Sequence, residues 1–376
     1  MKKILFISHQ NSLSGAPLVL LYFMQWLKQN HANYQIDLLV LNEGRLSDDF
    51  KKISRNYYSF SSLENKFILH NQIPPFFKVR IDKIFKKRFL DKIRNNKYDI
   101  IYANTVATLP VALELKEGSK SELVIHVHEL STVINQILPD FENLKNFGDK
   151  FIAVSDLVKN ELTGKWGIEN QKIKKIYEFS KVEKFDQLQK NISEEFVVCG
   201  CGYVDWRKGT DVFIQVAQYI KKKKYNRKVK FIWIGKVSYN DRLIIEADLN
   251  KMGLSDFVDF VGEVLNPHDF LKNCDVFLLP SREDPFPLVC IEVGMLGKPI
   301  ICFERATGIS EIVATGGGFV IPYLDVDIMA EKVDYYIHNP QIMYEDGLVN
   351  QRNFSNFTPD KISPEIFDFI DEDQII

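Results

Sequence analysis

Short apolar runs recur along the whole chain, and segments with the spacing of amphipathic helices separate them. Most runs are almost continuously Val, Ile and Leu and do not alternate with polar residues. Such strands are typical of parallel sheets that helices cover on both faces. The pattern therefore predicts an α/β protein built from doubly wound, Rossmann-like sheets. The predicted strands are KILFIS, QIDLLVL, YDIIYAN, LVIHVHE and KFIAVS in the first half, and FVVCGCG, VKFIWIG, FVDFVG, DVFLLPS, PIICF and GFVIP in the second.

The length of the chain favours two domains. It has 376 residues, more than the roughly 250 to 300 at which a single core stops growing. A polar, charged stretch over residues 165–195 interrupts the pattern before a new strand begins at Phe196. We therefore predict a first domain over 1–175, a second over 176–345, and a C-terminal helical segment over 346–376 that packs back on the first. Ligands bind at the carboxyl ends of parallel strands, so the two domains are expected to face each other across a cleft.

Composition and charge narrow the class of protein. A formal charge of −2 and a pI near 6.4 argue against a general nucleic-acid-binding protein. The apolar start KKILFIS is too short for a signal peptide, and no stretch approaches the ~20 apolar residues of a transmembrane helix. The five cysteines read as reduced thiols, and Cys199 and Cys201 point to one face of a strand, which favours packing over metal binding. We expect a cytoplasmic protein.

Residues 281–301, SREDPFPLVCIEVGMLGKPII, place a carboxylate on the apolar face of a helix. Pro287 suits the first turn of this helix, which should run to about Leu296 and stop at Gly297, and Glu292 then falls on its apolar stripe. A buried carboxylate needs a cation or hydroxyl donors to balance it. Asp284 lies at the start of the same helix, where free N–H groups favour an anion such as phosphate. A nucleotide sugar offers both a phosphate and a polyol.

This stretch resembles the donor-binding signature of retaining glycosyltransferases of the GT-B fold, in the group 1 or family 4 class. The family pattern is an acid, seven intervening positions and a Glu. Asp284 replaces the usual first Glu, and Pro287 replaces a Gly. The resemblance implies that Asp284 contacts the donor sugar and that Glu292 holds the ribose. The matching donor-binding positions of this segment are Phe286, Leu288, Val289 and Glu292.

A second motif, CGCGYVDWRKGTDVFIQVA over residues 199–217, is similar to the family's phosphate-binding loop. Two adjacent cations before a helix can neutralise a departing diphosphate. The resemblance assigns that role to Lys208 and Arg207. The family's Arg stands about where this chain has Tyr203, so the resemblance carries that role to Arg207 at a different position.

Three further segments carry the resemblance. The Ser-Gly-Ala loop at Gly15 is similar to the family's small-residue loop near the donor phosphate and the acceptor. His128 ends the run LVIHVHEL and resembles the active-site His that contacts the donor sugar, whereas His126 reads as a core residue. In the segment ERATGISEIV, Gly308 and Glu311 match a donor-binding loop, although Glu311 also suits the first turn of a helix.

Residues 73–97 bear on the acceptor. They hold nine Lys or Arg against two Asp, a net charge of +7, and place aromatic and apolar residues on one helical face. Such a helix can lie on an anionic membrane, which would fit a lipid-linked acceptor, or it can pack normally with solvated cations. The residues of the apolar face are Phe77, Ile81, Ile84, Phe85 and Phe89.

The sequence thus predicts a retaining glycosyltransferase that moves a sugar from a nucleotide diphosphate to a glycan or lipid-linked acceptor in cell-surface polysaccharide synthesis. No cofactor or metal is expected, because Lys and Arg neutralise the diphosphate, and Asp325 and Asp327 of the DVD sequence precede a helix that an Asp can cap. Two alternatives stay open. One is a non-catalytic protein of the same fold that binds a sugar or a partner, and the other is a sugar-nucleotide epimerase.

Overall fold

A computed structural model describes residues 1–61, 75–181, 194–264 and 266–372, and for residues 75–83 it describes the helical backbone only. The chain divides into two compact units. The first contains Met1–Ser180 together with Pro359–Ile376, and the second contains Lys181–Thr358.

The first domain is a parallel sheet with helices on both faces. The described strands follow the order β3-β2-β1-β4-β5-β6-β7. Its strands are β1 (Lys2–Gln10), β2 (Tyr34–Asn42), β3 (Asn56–Ser59), β4 (Ile100–Asn104), β5 (Glu122–Val127), β6 (Lys150–Ala153) and β7 (Ile173–Lys175). Its helices are α1 (Gly15–Asn30), α2 (Ser47–Ile53), α3 (Pro75–Arg94), α4 (Leu109–Lys116), α5 (Ser131–Ile137), α6 (Phe141–Leu144), α7 (Asp156–Gly164) and, from the end of the chain, a helix at Pro359–Asp371.

The second domain repeats this architecture with the described strands in the order β10-β9-β8-β11-β12-β13. Its strands are β8 (Glu195–Cys201), β9 (Lys228–Ile234), β10 (Val258–Gly262), β11 (Val276–Leu279), β12 (Ile300–Phe303) and β13 (Gly318–Ile321). Its helices are α8 (Thr210–Lys221), α9 (Tyr239–Lys251), α10 (His268–Leu271), α11 (Leu288–Met295), α12 (Ile309–Val313), α13 (Val326–His338) and α14 (Pro340–Phe354), so the last helix, Pro359–Asp371, is α15.

The direction of winding reverses once in each sheet. In the first domain the reversal lies between β1 and β4, and in the second between β8 and β11. All described pairs within both sheets are parallel, and the central strands are almost fully buried. Loops on either side of such a reversal diverge and leave a crevice at the carboxyl ends of the strands. The fold therefore predicts one ligand-binding edge in each domain.

The two Rossmann-like domains predicted from the apolar runs are confirmed, and every predicted strand is present. Two strands were not predicted. Strand β3 is four residues long, and β7, with the sequence IKK, lies inside the stretch read as a polar connection. Both pair at the edges of the first sheet, where few apolar residues are needed.

The observed domain limits fall later in the sequence than the predicted limits at 175 and 345. The first passage between domains is at Ser180 and the second is at Thr358. Helix α14 remains in the second domain because it packs closely on α11. An ideal Cβ on Gly294 of α11 would lie 2.1 Å from the ring of Phe354 of α14.

Helix α15 completes the first domain through aromatic and charged contacts. The ring of Phe367 stacks on His31 with centroids 3.6 Å apart and also contacts Trp26. Lys2 Nζ and Asp371 Oδ1 are 2.6 Å apart, which ties the two ends of the chain together. In the described part of the chain, no helix is both long enough and apolar enough to cross a bilayer.

Candidate functional site

Two loops of the second domain meet at the point where its sheet reverses. The loop after β8 carries Arg207 and Lys208, and the loop after β11 carries Asp284. Lys208 Nζ lies 2.6 Å from Asp284 Oδ2, and Arg207 Nη1 lies 3.2 Å from Asp284 Oδ1. Ser281 Oγ is a third donor, 3.3 Å from Asp284 Oδ2. The structure therefore brings together three of the four predicted catalytic residues, from segments 76 residues apart.

Close backbone contacts hold the two loops in register. The N–H of Arg282 donates to the carbonyl of Arg207 at 2.8 Å. Gly209 has a φ of 69°, and a Cβ at this position would lie 2.0 Å from the carbonyl oxygen of Pro280. Only glycine fits here, because the site requires both a left-handed backbone and an absent side chain. The position of Lys208 thus depends on the glycine that follows it.

The electrostatics of this cluster leave positive charge available. Burial alone would raise the pKa of the Asp284 carboxyl, but Lys208, Arg207 and hydrogen bonds from Lys208 and Ser281 bring it below its usual value. One carboxylate therefore faces two cations, a net charge of +1. The Lys208 side chain is 12% exposed and that of Arg207 is 30% exposed, so both can still reach a ligand.

Helix α11 carries the predicted ribose-binding residue. The Glu292 side chain is 20% exposed, so the expectation of a buried carboxylate is wrong. His268 of α10 faces it, with Nε2 3.8 Å from Glu292 Oε2. Phe286 is buried against Phe357 with ring centroids 5.6 Å apart, which makes it a packing residue in this structure. Leu288 is also buried and Val289 is partly exposed.

The segment at Gly308 joins this cluster through the backbone. The N–H of Asp284 donates to Ala306 and the N–H of Gly308 donates to Pro285, both at 2.8 Å. Asp284 and Thr307 form an isolated parallel bridge. Glu311 lies in the first turn of α12, the position that it suits as an alternative to donor binding. The two predicted donor-binding segments of this domain are therefore adjacent.

The first domain presents polar side chains at the carboxyl ends of β1, β4 and β5. His9 lies near the end of β1, Asn104 ends β4, and His128 directly follows β5. Gly15 begins α1, and Asn104 Nδ2 donates to the neighbouring Ala16 carbonyl at 3.1 Å. Asn104 thus links His128 to Ala16, the residue after the predicted Gly15.

His128 is fully engaged inside this domain. Its Nδ1 lies 2.7 Å from Glu178 Oε1, and its Nε2 lies 3.1 Å from Asn104 Oδ1. The side chains of His128 and Glu178 are only 5% and 6% exposed. His126 is buried behind them, with Nδ1 2.7 Å from the hydroxyl of Tyr102, so it lies in the core as its position on a strand predicted.

Burial shifts the pKa values of two further groups at this edge. Burial and then the nearby His128 lower the pKa of His9 to about 4, so His9 is neutral at physiological pH. Burial raises the pKa of Glu129 to about 7, although His128 and two backbone N–H groups oppose the shift. Thr105, directly after β4, has a φ of 88°, which is an uncommon conformation for a β-branched residue. Strain of this kind concentrates at functional sites.

Several residues at the carboxyl ends of the strands in the two sheets were not predicted from the sequence. They are His9, Asn104, Glu129, Glu178, His268 and Ser281. Polar residues that directly end an apolar run, as Asn104 does in YDIIYAN, were an available signal. No such signal marks Glu178, because its partner His128 is 50 positions away.

The cysteines show no sign of a metal site. All five are free, and burial raises the pKa of Cys201 and of Cys302 to about 12. Within the described ranges, no group of three or more His, Cys, Asp or Glu side chains could hold a metal ion.

Comparison with known proteins agrees with this architecture. Residues 181–352 match the profile of the family described as Glycosyl transferases group 1, and residues 13–180 match Glycosyltransferase Family 4. The matches meet at 180 and 181, where the structure also divides. Anabaena Alr3699/HepE in complex with UDP-glucose has the same fold, with a TM-score of 0.77, 20% identity and coverage of 98% of this chain and 99% of that chain.

The fold, the site and these comparisons define the class of the protein, which is a two-domain protein of the GT-B fold. The chain belongs to the group 1, family 4 glycosyltransferases, and the resemblance read from its motifs is confirmed.

Two curated relatives illustrate the range of this family. The capsular polysaccharide biosynthesis glycosyltransferase CapM of Staphylococcus aureus is 27% identical over 174 residues, 46% of this chain and 44% of the relative. An N,N'-diacetylbacillosaminyl-diphospho-undecaprenol alpha-1,3-N-acetylgalactosaminyltransferase of Campylobacter jejuni is 24% identical over 300 residues, 72% of this chain and 77% of the relative. Several relatives, CapM included, are matched over only 41 to 64% of their own length.

Proposed function

We propose that this chain is a retaining glycosyltransferase that moves a sugar from a nucleotide diphosphate to a glycan or lipid-linked acceptor in cell-surface polysaccharide synthesis. The convergence of Lys208 and Arg207 on Asp284, where the second sheet reverses, carries the proposal. A diphosphate is the ligand that two cations at the carboxyl edge of such a sheet suit best. The curated relatives CapM and the Campylobacter transferase support the polysaccharide setting and the lipid-linked acceptor.

Donor binding then proceeds by exchange of an ion pair. The phosphates of the donor take over Lys208 and Arg207, which frees the Asp284 carboxylate for hydroxyls of the sugar. Glu292 and the loop of Gly308 lie on the segments that adjoin Asp284, where the resemblance places the ribose and the donor. The resemblance also gives His128 and Gly15, in the first domain, contacts to the sugar and the phosphate. Phe286, Leu288, Val289 and Glu311 then shape or support the donor-binding segments.

The chemical step breaks the bond between the anomeric carbon and the diphosphate oxygen and forms a bond from that carbon to the acceptor oxygen on the same face. The acceptor proton passes to the departing phosphate. Lys208 and Arg207 stabilise the negative charge that develops on the diphosphate, which is electrostatic catalysis by preorganised donors. These two cations perform the neutralisation, so we propose that no cofactor or resident metal is used.

Nucleotide binding tests the donor site directly. The midpoint of thermal unfolding should be measured with UDP, GDP, ADP and CMP for wild type, Lys208→Ala and Lys224→Ala. A ligand at ~100 times its Kd adds about 2.7 kcal/mol to the stability of the protein it binds. One diphosphate should raise the midpoint of wild type and of Lys224→Ala, which removes an exposed cation in the same domain, but not that of Lys208→Ala. No shift with any nucleotide contradicts the proposed site.

Product analysis separates a transferase from the two alternatives. The matching nucleotide sugar should be incubated with and without a polysaccharide or lipid-linked acceptor, and products followed by NMR. A new glycoside with the anomeric configuration of the donor supports retaining transfer. An isomeric nucleotide sugar formed without acceptor identifies an epimerase, and binding without any product identifies a non-catalytic protein.

Helix α3 bears on a lipid-linked acceptor. Ile84 and Phe85 are exposed, and the predicted residues Phe77 and Ile81 lie among the side chains that the structure does not describe. We propose that this face contacts an anionic membrane, where each nearby cation contributes about 1 kcal/mol. Sedimentation with phosphatidylglycerol vesicles and with phosphatidylcholine vesicles tests this. Binding to the anionic vesicles alone, weakened in Ile84→Ser, is expected, and equal binding to both contradicts the charge-based contact.

A further inference from the structure

Glu178 is a buried carboxylate at the exit of the first domain, and no motif of the sequence accounts for it. It lies in the segment 176–180, directly after the edge strand β7, and the domain ends two residues later at Ser180. Ile176, Phe179 and Ser180 are buried with it. Four of the five residues of this short segment are therefore buried.

The hydrogen bonds of His128 define where its protons lie. Asn104 Nδ2 donates to the Ala16 carbonyl, so the acceptor oxygen Oδ1 faces His128 Nε2, which must carry a hydrogen. His128 Nδ1 then faces a carboxylate oxygen of Glu178 at 2.7 Å. A lone pair on both atoms would repel at that distance, so one proton lies between them.

The other titratable groups around this pair do not compete for that proton. The ring of His126 lies tilted against that of His128 with centroids 4.0 Å apart, but its Nδ1 is bonded to Tyr102. Glu129 Oε2 accepts from the backbone N–H of His128 at 3.0 Å. His9, whose pKa the charge of His128 helps to lower, faces Thr105 with its Nδ1. The pair of His128 and Glu178 is thus a separate unit within the cluster.

We propose that Glu178 is a positioning residue, which fixes the turn at the carboxyl end of β5 and anchors to it the segment that leads out of the domain. Both ring nitrogens of His128 are bonded inside the protein, and its side chain is nearly inaccessible. The exposed part of His128 is therefore its main chain, and the side chain acts as an anchor. The effect on catalysis rests on the proposed glycosyl transfer, whereas the anchoring itself does not.

Two variants of Glu178 test its role. One keeps a hydrogen-bond partner for the His128 ring, and the other removes it. In Glu178→Gln, the amide can donate to His128 Nδ1, so the ring keeps its orientation and loses only the shared proton. In Glu178→Ala, the ring orientation and the shared proton are both lost, because His128 Nδ1 no longer has a hydrogen-bond partner on residue 178. Glu161→Gln is a matched control in the same domain, because Glu161 accepts hydrogen bonds from the N–H and hydroxyl of Ser131, away from His128.

The experiment combines nitrogen-15 NMR of the histidine rings with hydrogen exchange of residues 176–180, on the full chain at neutral pH. Wild type and Glu161→Gln should show a hydrogen on His128 Nε2 and one shared between His128 Nδ1 and Glu178, whereas Glu178→Gln should show a hydrogen on Nε2 alone. Exchange in residues 176–180 should accelerate by about tenfold or more in Glu178→Ala and much less in Glu178→Gln. A His128 Nδ1 that shares no hydrogen with Glu178 in wild type, or unchanged exchange in Glu178→Ala, overturns the proposal whether or not transfer is detected.

Where wild type transfers sugar, kinetics provide an additional readout. Misplacement of the turn at His128 should lower kcat on the order of tenfold or more in Glu178→Ala, because small displacements of positioning groups are costly. Glu178→Gln should restore most of that activity. An equal loss of kcat in Glu178→Gln and Glu178→Ala would show that the charge, not the anchoring, is what matters, and would overturn a positioning role.

Discussion

Asp284 is one methylene shorter than the Glu of the family pattern, and both of its oxygens are held by cations. Lys208 and Arg207 lower its pKa against the effect of burial. A carboxyl whose pKa is lowered in the folded state stabilises the protein above the unfolded pKa of about 3.9. That contribution is lost as the pH falls through the folded value. The residue therefore links the stability of the second domain to pH.

Asp284→Asn should make this linkage visible. At neutral pH the variant should be less stable by about 3 kcal/mol, because two partly buried cations lose their counter-ion. At pH values below the folded pKa of Asp284 the difference from wild type should vanish. Denaturant unfolding of both proteins at neutral and acid pH measures it. A difference that stays constant over the whole range would show that the charge of Asp284 does not stabilise the fold.

The sequence predicted single residues well only where a local pattern contained them. Lys208 and Asp284 each stand at a fixed place beside a strand and a helix, so their convergence followed from the topology. Glu178 is recognisable only through His128, which lies 50 positions away. A buried polar residue needs a distant partner, and one sequence does not show which partner it has.

Among the elements near the site, α11 packs closely on α14. It carries Glu292, and Gly294 on the same helix leaves no room for a side chain beside Phe354 of α14. Gly347 of α14 in turn lies against the carbonyl oxygen of Gly297, where a Cβ would be 2.1 Å away. The two helices therefore approach at glycines, and the position of Glu292 depends on that approach.

Gly294→Ala should destabilise the protein by about 1 to 3 kcal/mol, because overpacking forces the helices apart. Gly164→Ala is the matched control, since no atom lies within 4 Å of the added Cβ at the end of α7. That variant should be neutral or slightly stabilising. Urea unfolding of the two variants checks the contrast, and equal stabilities would contradict the close contact of α11 with α14.

Strands and helices were predictable in proportion to how apolar they are. All strands at the centres of the sheets appear as apolar runs, and the cap at Asp325 was predicted from its position before a helix. The edge strand β7 was missed because two of its three residues are Lys. At an edge, backbone pairing maintains a strand that its side chains do not indicate.

At the scale of the whole molecule, the second domain is continuous in sequence and the first is not. Lys181–Thr358 form one unit, whereas Met1–Ser180 need the last helix to complete theirs. Trp26, His31 and Tyr34 pack on Phe367 of that helix. Removing α15 would therefore uncover aromatic surface on the first domain.

Fragments of the chain should show this asymmetry. Residues 181–358 alone should fold cooperatively and bind the same nucleotide as the full chain. Residues 1–180 alone should unfold at a lower temperature than the first domain does in the intact protein, and a peptide of residues 359–372 should raise its midpoint. Calorimetry of the fragments with and without the peptide measures this. A fragment 1–180 as stable alone as in the intact protein would show that α15 is dispensable.

The contact of Lys2 with Asp371 also bears on folding during synthesis, because Asp371 is translated 369 positions after Lys2. Domains usually fold as they leave the ribosome, beginning with the N-terminal one. In this protein, the order in which the two domains can finish folding is reversed. The domain whose residues emerge first must wait for the final helix, while the later one has all of its residues and can finish before it.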